Sequence, residues 1–160
     1  MMLIKIKKPK LEDLSEIIEL WKKQYAFHYD LDSKYYVSNS PSLTKKFRRY
    51  LKKAIVKSQP NILVAQVKEE IIGFITFSVD SDDYLDARIK KFGHIIELFV
   101  TEEYRQQGVG KKLSQATENY FSRAGIKYLI VQSSSFNKLA INFYRQIGFV
   151  NRQVLFFKKI

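Results

Sequence analysis

Apolar residues recur every three or four positions in four segments, which predicts four amphipathic helices. The first segment covers residues 10–29, and its apolar side includes Leu14, Ile18 and Trp21. The second begins at Ser40-Pro41, where a serine can cap the helix and the first turn tolerates proline. The third and fourth segments cover residues 108–123 and 136–147. The helices therefore fall into an early pair and two later single elements.

Between the helical segments, the pattern of the chain is typical of strands. Residues 3–7, 61–67, 71–79, 92–100, 127–132 and 149–159 are rich in β-branched and aromatic residues or alternate in polarity. The predicted order is strand, two helices, three strands, helix, strand, helix, strand. Strands linked by a hairpin thus lie beside β-α-β crossovers, which predicts an α/β (α+β) fold with a mixed sheet.

Length and composition narrow the class of protein. The chain has 160 residues, 46% of them hydrophobic and 28% charged, which is typical of one globular domain over residues 1–160. It contains no cysteine, which excludes disulfides and cysteine-based catalysis or metal binding. Apolar runs such as residues 95–100 are too short to span a bilayer, and the first residues lack a signal-peptide layout. We therefore expect a cytoplasmic protein without a membrane partner.

Positive charge is in large excess. The chain carries 28 Lys and Arg against 16 Asp and Glu, a net charge of +12. Such a charge attracts polyanions, either nucleic acid or a phosphorylated cofactor such as CoA. The basic residues are dispersed over predicted helix faces, as on ordinary solvated surfaces, and no nucleic-acid recognition motif accompanies them. Nucleic acid is therefore the less favoured partner.

A glycine-bearing turn connects the strand at residues 92–100 to the third helix. Its sequence is Arg105-Gln106-Gln107-Gly108-Val109-Gly110, followed by Lys111-Lys112. Glycines let the backbone approach a ligand closely, and the free N–H groups of a helix start favour a phosphate. The turn predicts a pyrophosphate site, with a ligand-free tight turn as the alternative. The Walker loop and the dinucleotide fingerprint both fit the spacing less well.

At this point the chain resembles the GNAT superfamily of N-acetyltransferases. That family has a hydrophobic strand ending in Val, a short acidic or proline link, and then Arg/Gln-x-x-Gly-x-Gly/Ala, which residues 99–110 follow closely. A second segment also matches, with Asn137, Ala140, Phe143-Tyr144 and Gly148-Phe149 at the spacing of the family. The resemblance extends over essentially the whole chain in element order.

The resemblance implies a mixed sheet of about six to seven strands, splayed near strands four and five and flanked by about four helices. It implies acetyl-CoA as co-substrate, an amine acceptor and no metal. Strand backbone would pair with pantetheine, the loop would hold the pyrophosphate, and an asparagine would bind near the split. The expected cofactor contacts are Leu98, Phe99, Val100, Arg105, Gln106, Gln107, Gly108, Val109, Gly110, Lys111 and Asn137. Tyr144 would be the general acid that protonates the leaving thiolate.

The general base is where the chain departs from the family pattern. Some members carry a glutamate five residues before the asparagine, where this chain has Gln132. Glu97, in an otherwise apolar strand, is the best alternative, acting directly or through water. His94 is a second candidate because histidine titrates near neutral pH, and water channels are a third. Strand alternation puts His94 and Glu97 on opposite faces unless a β-bulge intervenes.

The acceptor is expected to be a primary amine on a small molecule, with a protein or peptide amine as the alternative. The loop after the third strand holds Asp80, Asp82, Asp83 and Asp86, which form either a cation-attracting field or a solvated loop. Tyr29, Tyr35 and Tyr36 either contact the acceptor or pack the loop. A nucleic-acid-binding module and an acyl-CoA sensor are the alternatives from other classes. Residues 154–157 form an apolar run that suits either a homodimer edge or a core strand.

Overall fold

The computed structural model describes residues 2–159, which form one mixed sheet and the helices that cover it. The strands are β1 (Lys5–Lys7), β2 (Asn61–Val67), β3 (Glu70–Ser81), β4 (Lys91–Val100) and β5 (Leu129–Val131). The helices are α1 (Leu14–Leu31), α2 (Pro41–Lys57), α3 (Val109–Arg123) and α4 (Lys138–Gln146). Two 3₁₀ turns, Leu11–Asp13 and Glu102–Tyr104, precede α1 and α3. The predicted element order is confirmed up to α4.

The sheet has the order β1-β2-β3-β4-β5 within the described residues. The first four strands are antiparallel neighbours, and β5 runs parallel to β4. Hairpin connections thus stand beside a β-α-β crossover through α3, as the element order predicts. The sheet contains five strands rather than the expected six to seven.

The predicted last strand, residues 149–159, is not a strand in the structure. Phe149 packs against the core, whereas the side chains of residues 150–159 that the structure describes are exposed, Leu155 by 93%. The run of residues 154–157 is consequently not a core strand. Strand propensity reports how well a side chain suits a half-buried pleated surface, and it does not supply a partner strand. The neighbouring β5 has three residues and offers a short edge for pairing.

Two apolar cores lie on the two faces of the sheet. On one face, α1 and α2 pack through Trp21, Leu51 and neighbouring residues onto Phe74 of β3 and Phe99 of β4. On the other face, α3 packs through Leu113 and its neighbours onto the opposite side chains of the same strands. Alternate residues of β3 and β4 are therefore buried on both sides. No helix within residues 2–159 is long and apolar enough to cross a bilayer.

A β-bulge in β4 changes which side chains share a face. Glu97 pairs with Thr76 and Ile95 pairs with Phe77, so Ile96 is an extra residue on β4. Because side chains alternate along a strand, one extra residue puts His94 and Glu97 on the same face, the one covered by α1 and α2. The bulge that the sequence left open is thus present.

The same part of β4 is where the sheet splays. Pairing with β5 involves Gly93, His94 and Ile95 only. From Ile96 to Val100, β4 continues without a strand beside it on that edge among the described residues. The expected separation between strands four and five is therefore confirmed, and it exposes the backbone of Leu98, Phe99 and Val100 on one side.

Gly73 fixes the approach of β3 to the end of β4. It pairs with Val100, and a Cβ atom at Gly73 would lie 2.6 Å from the backbone oxygen of Phe99. A backbone atom in a central strand cannot move aside as a flexible side chain does. The glycine is therefore required by the close contact at the strand end that carries the site.

We expect Gly73→Ala to destabilise the fold by roughly 1–3 kcal/mol, because the added methyl forces β3 away from β4. Denaturant unfolding of both proteins measures the difference. Val79→Ala, a change at an exposed position of the same strand, serves as the control and should alter stability by less than about 0.5 kcal/mol. An equally stable Gly73→Ala protein would contradict this account of the contact.

Candidate active site

The turn between β4 and α3 presents backbone N–H groups to the space beside the strand end. Gln106 and Gly108 both have positive φ, +59° and +82°, and Gly108 is the N-cap of α3. The N–H group of Lys112 donates to the carbonyl of Gly108 at 3.0 Å. The N–H groups of Val109, Gly110 and Lys111 precede this bond and have no acceptor within the helix. They suit an anion, aided by the helix dipole and the exposed Lys111.

Two polar side chains of the turn point back into the protein and brace it. The Arg105 Nε group donates to the carbonyl of Val100 at 3.1 Å, and its guanidinium lies 5.7 Å from the Phe27 ring centroid and 5.8 Å from that of Phe99. The Gln107 side-chain amide donates to the carbonyl of Glu103 at 2.7 Å. Arg105 therefore contributes to an anion site through its backbone and by holding the turn, with its charge directed toward α1.

Helix α4 meets this turn at Gly110. A Cβ atom at Gly110 would lie 3.2 Å from the Phe143 ring and 3.9 Å from the Val100 side chain. The missing side chain lets Phe143 lie close to the first turn of α3 and to the end of β4. Tyr144, the next residue, packs edge-on against Phe143 and Phe149, with ring centroids 5.2 and 5.5 Å apart. Burial raises the pKa of Tyr144 above its usual range, so its hydroxyl stays protonated at neutral pH.

Asn137 is the N-cap of α4. Its side-chain oxygen accepts a hydrogen bond from the N–H group of Ala140 at 3.0 Å, and the residue is buried. Capping uses the oxygen, which leaves the side-chain N–H groups as the donors for any ligand. The spacing that the sequence shows between Asn137 and Tyr144 thus places the two at the beginning and in the last two turns of one short helix.

Glu97 lies among the side chains of three other elements. The Thr76 hydroxyl of β3 donates to its carboxylate at 3.3 Å, Trp21 of α1 hydrogen-bonds to it, and Tyr50 of α2 lies nearby. Burial raises the pKa of Glu97 to about 7, and the two hydrogen bonds oppose that rise. Burial, together with the Glu97 charge, likewise raises the pKa of Tyr50 to about 12. The carboxyl can thus change protonation state near neutral pH.

His94 lies further along the same face of β4 as Glu97. Its Nδ1 atom is 2.8 Å from a carboxylate oxygen of Asp80, and Asp80 accepts from the Ser78 hydroxyl at 2.7 Å. The Ser78 hydrogen bond and His94 lower the pKa of Asp80, so it stays ionised. Asp80 therefore belongs to β3 and is paired with a histidine. Of the other loop aspartates, Asp82 accepts from the N–H group of Tyr84.

The structure thus brings together three of the predicted parts: the end of β4, the glycine turn and the Phe143-Tyr144 pair of α4. Gln132 lies just after β5 and is exposed. The sequence interpretation missed Trp21, Tyr50 and Thr76 as neighbours of Glu97. Trp21 was visible as part of the apolar face of α1, and Thr76 as the residue alternating with Phe74. Within the described part of the chain, no cluster of three or more His, Asp or Glu residues is arranged to hold a metal.

Comparison with known families agrees with this arrangement. The model of the acetyltransferase (GNAT) family matches residues 15–149. The chain belongs to the GNAT family. GNAT enzymes use acetyl-CoA, and an N–H-lined turn beside a splayed strand fits the pyrophosphate and pantetheine of that co-substrate.

Two curated relatives illustrate the range of the GNAT family. An uncharacterised N-acetyltransferase of Methanocaldococcus jannaschii is 33% identical over 93 residues, 58% of this chain and 54% of that protein. A spermidine N(1)-acetyltransferase of Thermoplasma acidophilum is 29% identical over 156 residues, 92% of this chain and 89% of that protein. The chain spans 54% and 59% of the lengths of the first two curated relatives, both from Methanocaldococcus jannaschii.

Among solved structures, this GNAT chain is similar to an aminoglycoside N-acetyltransferase in complex with CoA. The TM-score is 0.73 at 17% identity, with 99% of this chain and 96% of that chain covered. At this identity the likeness shows the shared fold. The mixed sheet with its splay between β4 and β5 is therefore the GNAT fold.

The buried Glu97 carboxyl should make stability depend on pH. In the unfolded chain it ionises near 4.5, whereas in the fold its pKa is about 7. The folded state therefore loses stability as pH rises between these values, by at most about 3 kcal/mol. We expect Glu97→Gln to be more stable than the wild type at about pH 8 and equally stable below about pH 4, as measured by denaturant unfolding.

The control for this prediction is Glu69→Gln, a change at an exposed turn position. It should leave the pH dependence of unfolding unaltered. If Glu97→Gln and Glu69→Gln show the same pH dependence, the Glu97 carboxyl is solvated rather than buried.

Proposed function

We propose that the protein transfers the acetyl group of acetyl-CoA to a primary amine of a small molecule. The observation that carries the proposal is the buried Glu97 carboxyl with a pKa of about 7, located on β4 where the strand leaves β5. An amine must lose a proton to attack a thioester, and a base that titrates near neutral pH suits this task. Within the proposal, residues 1–160 act as a single N-acetyltransferase domain.

Acetyl-CoA lies in the proposed complex along the free edge of β4. The backbone of Leu98, Phe99 and Val100 pairs with the pantetheine arm in the manner of an added strand. The N–H groups from Gln106 to Lys111 receive the pyrophosphate, and the Asn137 side-chain amide donates to the arm near the split. Binding by backbone N–H groups explains why the turn directs Arg105 and Gln107 inward.

The chemical step uses one proton acceptor and one proton donor. The amine nitrogen attacks the thioester carbonyl carbon, and its proton passes to Glu97, directly or through water. A C–N bond forms and the C–S bond breaks. Tyr144, protonated because burial raises its pKa, gives its proton to the departing sulfur. The products are the acetylated amine and CoA with a free thiol.

The small-molecule acceptor is supported by the relative that matches along most of the chain. The spermidine N(1)-acetyltransferase of Thermoplasma acidophilum aligns with 92% of this chain. In this chain, α1, α2 and β3 enclose Glu97 with Trp21, Tyr50 and Thr76. An enclosed base of this kind favours a slender aliphatic amine over the amino group of a folded protein.

Glu97 and His94 can be separated as general bases by their pH profiles. Acetyl-CoA turnover with a panel of polyamines, aminoglycosides, amino acids and peptides is measured as free-thiol release. For the best acceptor we expect kcat/KM to rise with pH through about 7 in the wild type, because the base must be deprotonated. Glu97→Gln should flatten this acidic limb and lower the rate by roughly a hundredfold or more.

His94→Gln is the matched control, since His94 lies on the same face of β4. It should retain the acidic limb. A flat limb in His94→Gln with a normal limb in Glu97→Gln would assign the base to His94. Absence of turnover with every amine, although acetyl-CoA raises the melting temperature, would favour an acyl-CoA sensor.

Tyr144→Phe separates acid catalysis from packing. The ring and its contacts with Phe143 and Phe149 remain, and only the hydroxyl is lost. We expect kcat to fall by roughly 10²–10⁴-fold while the dissociation constant for acetyl-CoA, measured by calorimetry, changes little. Tyr128→Phe, at a half-exposed tyrosine, should leave both quantities unchanged. Equal losses of turnover and affinity in Tyr144→Phe would make Tyr144 a packing residue.

A further inference from the structure

Three aromatic rings meet at the surface between α1 and α2. The Tyr35 ring stands nearly perpendicular to that of Tyr36, with centroids 5.0 Å apart and an angle of 77°. It is also nearly perpendicular to the Phe157 ring, at 6.1 Å and 84°. Tyr35 is 66% exposed and Phe157 is 84% exposed, so their faces are open to a ligand. We call Tyr35, Tyr36 and Phe157 the aromatic cage.

The electrostatics of the aromatic cage suit a cation. Ring faces carry negative potential, and several rings at steep angles recognise ammonium groups. Asp32 lies beneath the cage, where its carboxylate accepts from the N–H group of Tyr35 at 3.3 Å. Because the protein has a net charge of +12, its overall field does not concentrate amines. Local ring faces and Asp32 therefore provide the attraction at this point.

A stacked histidine beside the cage does not compete with a bound cation. His28 stacks on Tyr36 with ring centroids 5.4 Å apart and an angle of 27°. Burial lowers the pKa of His28, so its ring is uncharged at neutral pH. Tyr36 thus keeps an uncharged aromatic neighbour on one face.

A row of rings on α1 connects the aromatic cage with Glu97. Tyr36 lies 6.4 Å from Tyr25, and Tyr25 lies 5.1 Å from Trp21, whose side chain hydrogen-bonds to Glu97. Trp21, Tyr25 and His28 follow one another at helical spacing on one side of α1. Seven residues of helix from Trp21 to His28 measure about 10 Å. The cage and the base are thus two ends of one aromatic wall.

We propose that the aromatic cage holds the second ammonium group of a linear di- or polyamine whose first amine is acetylated beside Glu97. The inference rests on the proposed function and specifies its acceptor class. A short diamine cannot occupy both ends of the wall at once, whereas a longer one places a cation in the cage while its neutral amine reaches the base. Tyr35, Tyr36 and Phe157 are then residues that determine specificity.

Chain length of the acceptor tests this proposal. We expect kcat/KM to rise from diaminobutane through diaminohexane to diaminooctane, by roughly three- to tenfold for one well-placed cation–π site. Octylamine, which lacks the second cation, should not share the rise. Tyr35→Leu and Phe157→Leu should abolish it while leaving kcat/KM for diaminobutane and the KM for acetyl-CoA unchanged. Both positions are exposed, so these variants are expected to fold normally.

Tyr84→Leu is the matched control, because Tyr84 is also exposed, by 71%, and lies in the loop between β3 and β4. It should leave the chain-length dependence intact. A flat dependence in the wild type would overturn the proposal. An equal effect of Tyr35→Leu on octylamine and diaminooctane would also overturn it, since the rings would then be an apolar wall.

Binding measured without turnover distinguishes failure of the cage from failure of the proposed function. Decamethonium, a linear alkane with a quaternary ammonium at each end, cannot be acetylated. We expect calorimetry to show that Tyr35→Leu weakens its binding by roughly three- to tenfold and that Tyr84→Leu does not. Undiminished binding to Tyr35→Leu would refute the cage whether or not any amine is acetylated.

Discussion

The extra residue in β4 is the constraint from which both halves of the site follow. Ile96 has no partner on β3, so the alternation of side chains is reset between Ile95 and Glu97. Before the bulge, β4 is hydrogen-bonded to β5; after it, the strand continues to Val100 with one edge open. The same local irregularity therefore creates the opening for a donor molecule and directs an acidic side chain toward α1 and α2. A regular strand would have paired further with β5 and turned Glu97 or His94 to the other face.

Charge is distributed so that each ligand group meets its complement in a positive protein. The turn before α3 offers N–H groups and Lys111 to phosphate, in agreement with the overall charge. Glu97 is the opposite case, a carboxyl held in an apolar setting where its charge is costly and its pKa is near 7. Thr76 and Trp21 supply hydrogen bonds that keep the ionised form accessible. An acidic group can thus work as a base at neutral pH only because burial and hydrogen bonding oppose one another here.

Much of this arrangement was predictable, and the errors share a physical cause. The bounds of β2, the turn at Gly108 and the α4 motif around Asn137 follow from local patterns, because capping, left-handed turns and strand alternation are encoded within a few residues. The last predicted strand is wrong because strand formation needs a partner edge, which the composition of residues 149–159 does not reveal. The surroundings of Glu97 come from α1, α2 and β3, segments far apart in the chain. The inward direction of Arg105 likewise depends on Phe27, a tertiary neighbour that no spacing rule indicates.

Trp21 has one further consequence. It is the sole tryptophan of the chain, and its indole hydrogen-bonds to the carboxyl on which the proposed chemistry depends. Its ring also stacks on Phe47 of α2, with centroids 3.9 Å apart. An indole in contact with a titrating carboxyl changes its emission as the charge appears. The protein therefore contains its own fluorescent reporter of the protonation state of Glu97, free of signals from any second tryptophan.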